Sequence, residues 1–475
     1  MLGATCSNQY ARLIMCATDN CNYYHSGGIE VRLLLGVGAF FRAFISPIPC
    51  LLAHSPHAGL GAQQRPITPG HGAGMCAAPV KVLMVEANRY GTIGGSYFSL
   101  LFLAGGLNRA KYAPMVVFAS ENGLIPSFRS IGVEVRVLQP AMPTLTGPKT
   151  GLRKLFARLA NAFKYRIAAT RSVLRNAKLL RTERVGLLIL NNSIDSAHAW
   201  QWAAILAGVP CVVHERGWRH HYTLTARILG RRLAAVMCVS DAVRQHLVDH
   251  GFARLPLVTV PEGLDPNDFR ITKSPAAVRE ELRLSENVRL IGMVGHIQRW
   301  KGQDVVIRAV ASLREEFPQL VCIFLGEVPN DAADREFSEE LQSLIEKYNL
   351  GDCVLFTGHR SDVADFVNAC ELLIHASIEP EPFGRVLLEG MALRKPIVAS
   401  RAGGPVEIVS HGVTGFTYPP GDSEELAAHL RVLLRDGALR ASMGEAGQRR
   451  LVDSFSIEKN VASTEMIYEA ALRRT

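Results

Sequence analysis

The stretch Glu381-Pro-Phe-Gly-Arg-Val-Leu-Leu-Glu389 carries two carboxylates with seven residues between them. An apolar run at residues 372–377 precedes it and predicts a buried strand, and the small residues Gly390-Met391-Ala392 continue a helix after it. One acid therefore lies on a loop and the other about two turns into a helix. Free amides at a helix start, beside a carboxylate, suit a ligand with both hydroxyls and phosphates. For this stretch alone, two unrelated surface acids are the alternative.

From residue 80 onward, short apolar runs alternate with longer amphipathic ones, which is typical of parallel α/β layers. Predicted strands lie at residues 80–87, 115–119, 133–138, 185–191, 210–214, 234–239 and 257–260, and then at 288–295, 320–326, 354–358, 372–375 and 396–400. A segment rich in Pro, Asp and Asn at 265–277 predicts a hinge. We expect two doubly wound, Rossmann-like parallel-sheet domains that face each other across a cleft, with ligands at the carboxyl ends of the strands.

The predicted domain boundaries follow from this alternation. Residues 80–275 form a first domain, 276–455 a second, and 456–475 a C-terminal helix that packs back on the first. Residues 1–79 hold five of the ten cysteines, and their apolar stretch is interrupted by charges and prolines. We interpret them as an unstructured extension or a mis-called start with Met75 as the initiator, and a membrane-associating leader is the alternative. N-terminal sequencing of the native protein tests this, and an intact Met1 product contradicts it.

Composition narrows the class of protein. A chain of 475 residues with 48% hydrophobic and 20% charged residues is long enough for two or more globular domains. Five cysteines lie singly in or beside apolar runs and predict buried thiols in a reducing cytosol: Cys211, Cys238, Cys322, Cys353 and Cys370. No cysteine pair has zinc spacing, so we expect no metal site.

Several loops at predicted strand ends carry residues suited to bind phosphates or sugars. Gly94-Gly95 lets a backbone approach an anion, and Arg299 and Lys301 lie where a strand gives way to a helix. Gly358 follows a strand and can line a base pocket, and His214 ends another strand. Each has an ordinary alternative: a tight turn, solvated cations, a helix cap and a structural histidine.

Basic charge is concentrated in residues 153–232, where fifteen Lys and Arg face three acids. This window carries a net charge of +12, so the rest of the chain sums to −3 against a total of +9. Apolar residues recur there at helical spacing, which predicts an amphipathic helix on an anionic membrane or an acceptor patch. The basic residues of this patch are Arg153, Lys154, Arg158, Lys164 and Arg166. A surface helix packed on the core is the alternative, and nucleic acid is not expected because no stacking aromatics are interleaved.

An ordered set of motifs resembles family 4 of the retaining nucleotide-sugar glycosyltransferases (glycosyl transferases group 1), whose fold is GT-B. The resemblance covers the chain from about residue 80 to its C terminus. It implies a UDP- or GDP-linked sugar bound mainly by the second domain, an acceptor bound by the first, and no other cofactor. The motifs are Gly94-Gly95, His214, Val239-Ser240, Gly263-Leu264-Asp265, Gly295 with Lys301-Gly302, Gly358 with Asp362, Glu381 to Glu389, and Gly403-Gly404-Pro405-Val406-Glu407.

The resemblance also implies roles for single residues. Glu381 faces the donor sugar near its anomeric carbon, Glu389 accepts hydrogen bonds from the ribose hydroxyls, and Lys301 neutralises the leaving diphosphate. Catalysis is thus assigned to Glu381, Lys301 and His214. The remaining donor contacts are the amides of Phe383, Gly384 and Arg385 on the sugar or phosphate, Gly94-Gly95 on the diphosphate, and His214 on the sugar.

Two positions depart from the family pattern. The residue after Gly295 is His296, where the family usually has Arg, so the diphosphate loses one fixed cation. Arg299 is the candidate to replace it. The second departure is Glu262, where Asn is common.

The resemblance implies a retaining, metal-independent glycosyltransferase, in which the acceptor attacks the anomeric carbon from the front face. We expect it to move a hexose or related sugar to a glycan or lipid-linked acceptor in cell-surface polysaccharide or glycolipid synthesis. Its expected location is the cytoplasm, peripheral on the inner face of the cytoplasmic membrane. A catalytically silent nucleotide-sugar-binding scaffold and a nucleotide-sugar epimerase of the same fold are the alternatives, and product analysis with and without acceptor separates them.

Overall fold

The computed structural model describes residues 78–88, 93–140 and 152–474, and of residues 152–156, 158 and 159 it describes the backbone alone. The interpretation of residues 1–79 as an extension therefore lies, except for the last two residues, outside the described part. So do the side chains of Arg153, Lys154 and Arg158.

The first domain is built on a parallel sheet of seven strands in the order β3-β2-β1-β4-β5-β6-β7. The strand order reverses between β1 and β4, as in a doubly wound sheet. The strands are β1 Val80–Glu86, β2 Tyr112–Phe118, β3 Glu134–Val137, β4 Leu187–Leu190, β5 Cys211–Glu215, β6 Ala235–Cys238 and β7 Leu257–Thr259.

The second domain has a parallel sheet of six strands in the order β10-β9-β8-β11-β12-β13. Its strand order reverses between β8 and β11. The strands are β8 Arg289–Val294, β9 Leu320–Leu325, β10 Val354–Gly358, β11 Leu372–His375, β12 Ile397–Ser400 and β13 Gly415–Tyr418. The prediction of two Rossmann-like parallel-sheet domains is confirmed.

Strand β13 is absent from the predicted strands. It is a four-residue edge strand that pairs only with β12, so no long apolar run marks it. Gly415 has φ +155°, and a Cβ there would lie 2.0 Å from the Ile397 carbonyl oxygen. A glycine thus opens the strand because the neighbouring backbone leaves no room for a side chain.

Helices cover both faces of the two sheets. In the first domain they are α1 Gly95–Gly106, α2 Ile125–Ser130, α3 Leu152–Thr182, α4 His198–Ala207, α5 Leu224–Gly230 and α6 Asp241–Leu247. In the second they are α7 Pro275–Glu281, α8 Gln303–Leu313, α9 Ala332–Lys347, α10 Val363–Ala369, α11 Arg385–Ala392, α12 Pro405–Ile408, α13 Ser423–Arg435 and α14 Gly437–Ser454, and the C-terminal helix α15 Ile457–Leu472 follows. Every residue of β4 and of β9 is buried, which is what a sheet covered on both faces requires.

The C-terminal helix α15 packs against the first domain, although it follows the second in the chain. Tyr468 is fully buried and makes an edge contact with Tyr112, their ring centroids 5.9 Å apart. Gly106 lies so close that a Cβ there would come within 2.6 Å of Val461. Burial of side chains such as Tyr468, worth about 1.5–3 kcal/mol each, holds this helix across the two domains.

Candidate active site

The predicted donor residues converge because the strands that carry them are neighbours. Strands β8 and β11 lie side by side at the point where the strand order of the second sheet reverses. The turn after β8 and the loop after β11 therefore leave the sheet at the same edge, which is where open α/β sheets form their ligand crevice. This brings Lys301 of the first segment to Glu381 of the second, although they are 80 residues apart in the chain.

Glu381 and Lys301 form a nearly buried ion pair. Lys301 Nζ donates to Glu381 Oε2 at 2.5 Å, and the two side chains are 18% and 13% exposed, respectively. Ser377 Oγ donates to the same oxygen at 3.3 Å, and His375 Nε2 lies 3.4 Å from it. Burial alone raises the pKa of Glu381, but the charges of Lys301 and His375 outweigh it and hold that pKa well below its usual range. Glu381 is therefore an ionised acceptor at neutral pH and not a proton donor.

The backbone around Glu381 is pinned by the segment that follows β12. Glu381 N donates to Ala402 O at 3.0 Å, and Gly404 N donates to Glu381 O at 2.8 Å. Gly403 has φ +79°, and a Cβ there would lie 2.2 Å from Glu381 O. This glycine, which the sequence placed in a family motif, thus serves to let two backbones touch beside the acid.

Lys301 is fixed by a similar close approach. It ends a 3₁₀ turn, Arg299–Lys301, and Gly302 follows with φ +74°. A Cβ on Gly302 would lie 2.1 Å from Ala376 O, and Ile378 N donates to Trp300 O at 2.8 Å. The turn is therefore locked onto the end of β11, with Lys301 Nζ 3.9 Å from the Trp300 ring centroid.

Arg299 points to a different part of the second domain. Its guanidinium pairs with Glu340 of α9 at 2.5 Å and lies 4.8 Å from the Phe337 ring centroid. The side chain is 58% exposed. The structure does not bring Arg299 into contact with Glu381 or Lys301.

Arg385, at the start of α11, reaches across the cleft to the first domain. Its Nη1 lies 3.6 Å from Glu262 Oε2, and its Nε lies 3.9 Å from Glu389 Oε1 one helical turn further on. A Cβ on Gly95 would come within 3.2 Å of Arg385 Cδ. Burial raises the pKa of Glu389, opposed by the Arg385 charge and supported by that of Glu262. Arg385 thus lies close both to Glu389 of the second domain and to Gly95 of the first.

Two further contacts join the domains. They involve residues that belong to the family motifs but had no role assigned from the sequence. Ser240 Oγ donates to the carbonyl of Pro382 at 2.6 Å. The Glu407 carboxylate accepts from the amides of Asp241 and Ala242, each at 2.8 Å, and so caps α6 of the first domain from the second. Such contacts depend on the tertiary arrangement, and no local pattern predicts them.

His214 lies at the end of β5 with one ring nitrogen engaged. Arg216 Nη2 donates to His214 Nδ1 at 3.1 Å, so the ring hydrogen lies on Nε2, which is buried and has no partner among the described residues. Burial, together with the Arg216 charge, lowers the pKa of His214 well below its usual value. A neutral imidazole with a spare Nε2–H can donate one hydrogen bond but cannot supply a positive charge.

Gly358 ends β10 with φ +69° and open space where a side chain would stand. The basic helix that we predicted is α3, of 31 residues. Lys164 and Arg166 on it are exposed, and Phe163 is 66% exposed beside them. In the part of the chain that the structure describes, no helix is long and apolar enough to cross a membrane.

Two Rossmann-like domains that face each other define the GT-B class. The groups described above lie at or after the carboxyl ends of their strands. A model described as Glycosyltransferase Family 4 matches residues 100–268, and one described as Glycosyl transferases group 1 matches residues 276–450. The chain belongs to the family 4, group 1 glycosyltransferases, as the sequence predicted.

Among curated proteins, the N-acetyl-alpha-D-glucosaminyl L-malate synthase of Bacillus anthracis is 32% identical over 41% of this chain and 49% of its own length. The D-inositol 3-phosphate glycosyltransferase of Streptomyces avermitilis is 30% identical over 49% of this chain and 50% of its own. The chain thus spans about half the length of these two relatives. The lipopolysaccharide core mannosyltransferase LpcC of Rhizobium leguminosarum is 26% identical over 54% of this chain and 69% of its own.

Solved structures match over most of the chain. HepE of Anabaena, in complex with UDP and glucose, aligns with a TM-score of 0.68 at 24% identity, covering 82% of this chain and 99% of that one. A glycosyltransferase from Rickettsia africae aligns with a TM-score of 0.69 at 19% identity, covering 84% and 100%. At these identities the likeness shows the fold.

Proposed function

We propose that this protein is a retaining glycosyltransferase that moves a hexose or related sugar from a UDP- or GDP-linked donor to a hydroxyl of a glycan or lipid-linked acceptor. The observation that carries the proposal is the ionised Glu381, held by Lys301 at the crevice between β8 and β11. The relatives named for transfer of mannose to lipopolysaccharide core and for glycosylation of an inositol phosphate support the reaction class. The UDP and glucose bound by HepE support the donor class.

The chemistry follows from where charge develops. The bond between the anomeric carbon and the phosphate oxygen breaks with its electron pair on the diphosphate, while the acceptor oxygen bonds to the same face of the carbon. The acceptor proton passes to the departing phosphate oxygen. Lys301 stabilises the negative diphosphate, the Glu381 carboxylate stabilises the positive charge on the sugar, and His214 Nε2–H donates to a sugar hydroxyl. In this scheme Lys301 supplies the charge neutralisation for which other glycosyltransferases use a divalent metal.

The donor is identified by its effect on stability. We expect one nucleotide sugar of a UDP- and GDP-linked panel to raise the melting temperature in proportion to the logarithm of its concentration. Glu389→Gln should weaken binding of that donor about 10- to 100-fold, because the amide is uncharged and offers one acceptor oxygen, whereas a carboxylate offers one to each hydroxyl of the ribose diol. Glu445→Gln, on the exposed surface of α14, is the matched control and should change nothing.

Product analysis in the presence of acceptor candidates then separates the functions. Transfer of the sugar supports the proposal. Conversion of the nucleotide sugar without any acceptor identifies an epimerase, and binding with no turnover identifies a silent scaffold. Addition of EDTA should leave the transfer rate unchanged.

We also propose that α3 contacts an anionic membrane surface and places the protein on the inner face of the cytoplasmic membrane. Exposed Lys164 and Arg166 beside exposed Phe163 combine charge with an apolar contact, as interfacial helices do. Vesicles with anionic lipid should bind the protein at low salt and release it at high salt. Lys164→Glu with Arg166→Glu should weaken binding at least tenfold, at about 1 kcal/mol per basic residue, while Lys347→Glu on α9 should not. Equal binding by both variants contradicts the proposal.

A further inference from the structure

The Arg385 guanidinium is the one charged group of α11's first turn, and it crosses the cleft. We infer that its side chain is the second cation of the donor diphosphate and takes the place of the arginine missing at His296. Arg299, the candidate from the sequence, does not have this role. The inference rests on the proposed function, since it concerns how the same donor is held.

Most N–H groups of the Arg385 guanidinium have no close hydrogen-bond partner among the described residues, although the side chain is only 11% exposed. Among the described residues its polar contacts are one hydrogen bond from Nη1 to Ser99 Oγ at 3.4 Å and the two ion pairs at 3.6 and 3.9 Å. The guanidinium also lies over the face of Phe102, 5.2 Å from the ring centroid. A guanidinium has five N–H groups, and buried ones are normally satisfied. The side chain thus has N–H groups left with which it can bind an anion.

Arg216 shows the contrast. It is 9% exposed, and all three of its side-chain nitrogens have close partners. Nε donates to Asn191 Oδ1 at 2.8 Å, Nη2 donates to His214 Nδ1 at 3.1 Å, and Nη1 donates to Glu262. Arg216 is therefore a structural arginine of the first domain, whereas Arg385 has capacity for a ligand.

The surroundings of Arg385 match the two neighbouring parts of a nucleoside diphosphate. Its Cδ lies beside the start of α1, 3.2 Å from where a Cβ on Gly95 would stand, and free helix amides favour an anion there. Glu389, proposed to hold the ribose, lies one turn further along the same helix and 3.9 Å from Arg385. Ribose and diphosphate are directly linked in the donor, so the groups that bind them must also be neighbours.

Of the two cations in the turn after β8, Lys301 is the first cation of the proposed site, and Arg299 is held elsewhere. Lys301 is paired with Glu381, and Arg299 is held on α9 by Glu340 and Phe337. Glu262, where the family commonly has Asn, supplies a countercharge that keeps Arg385 across the cleft before a donor arrives. Glu262 itself is satisfied by Ser99 at 2.5 Å and by Arg216, so Arg385 can turn to a diphosphate without leaving that carboxylate unpaired.

The test compares ligands that differ only in phosphates. Dissociation constants of UDP, UMP and uridine, or of the guanosine series if the donor panel selects GDP, are measured for wild type, Arg385→Gln, Arg385→Lys and Arg299→Gln. We expect Arg385→Gln to weaken binding of the nucleoside diphosphate about 10- to 100-fold and binding of the nucleoside less than twofold. Arg385→Lys should recover part of the loss, and Arg299→Gln should change neither. Melting temperatures without ligand confirm that each variant is folded.

Equal weakening of nucleoside and diphosphate by Arg385→Gln would show a merely structural role and overturn the assignment. Loss of diphosphate affinity in Arg299→Gln with none in Arg385→Gln would return the role to Arg299. A wild-type protein that binds neither UDP nor GDP would overturn the proposed function, and this assignment with it.

Discussion

Glu381→Gln is expected to lower the rate of sugar transfer at least about 100-fold, which corresponds to about 2.7 kcal/mol of transition-state stabilisation. The substitution keeps the size of the side chain but removes the negative charge that Lys301 pairs with at 2.5 Å. The effect should appear in kcat, measured with saturating donor, because the charge matters most when the sugar becomes positive. The affinity for the nucleoside diphosphate should stay within about threefold, since we propose that Glu381 faces the sugar and not the nucleotide.

A matched control lies two residues earlier on the same loop. Glu379→Gln makes the same chemical change and should leave kcat within about threefold. Both variants should be compared by melting temperature, because loss of one partner from a nearly buried ion pair leaves Lys301 uncompensated and costs stability. Equal losses of kcat in both variants would point to a disturbed loop. A Glu381→Gln enzyme as fast as wild type would remove Glu381 from the mechanism.

Gly403→Ala is expected to cost about 3 kcal/mol or more of folding stability and to abolish transfer in the protein that still folds. Its Cβ would lie 2.2 Å from the carbonyl oxygen of Glu381, and this contact is with backbone that cannot rotate away. The Glu381 loop must therefore shift, and the carboxylate with it. For a domain of this size the melting temperature should fall by about 6–12 °C.

Gly412→Ala separates the clash from the backbone conformation. Gly412 has φ +76°, close to the +79° of Gly403, but nothing lies within 4 Å of its Cβ position. The free energy of unfolding of Gly412→Ala should fall by only about 1–2 kcal/mol, which is the cost of a left-handed conformation for a residue with a side chain. Its transfer rate should stay unchanged. If the two variants lose the same stability and activity, the close approach of Gly403 to the Glu381 carbonyl is not the cause of the loss.

Much of the fold followed from local patterns. All twelve predicted strands are present, because buried parallel strands need continuous apolar runs that are visible in the sequence. The missing strand, β13, is short and at the sheet edge, and the pairing with β12 defines it more than its composition does. Candidate residues at strand ends were found for the same reason, since a parallel sheet places them all at one edge.

The ion-pair and hydrogen-bond partners of those residues could not be predicted from local patterns. Arg299 and Lys301 look equivalent in the turn after β8, yet one pairs with Glu340 on α9 and the other with Glu381. Glu262 looked like a simple departure from a pattern, and it proves to be the acid that meets both Arg216 and Arg385. His375 and Ser377 beside Glu381 were missed, although their place at the end of β11 was a usable signal.

The order of residues was thus enough to establish the α/β class, the two doubly wound halves and the family, because these depend on periodicity and on motifs that are local in the chain. Which charges meet was settled only in three dimensions. Sheet order makes β8 and β11 neighbours and so joins Lys301 to Glu381, and the contact between the domains brings Arg385 to Glu262. An ion pair forms between side chains that are close in space, and closeness across a cleft is a property of the packed domains that no short stretch of sequence encodes.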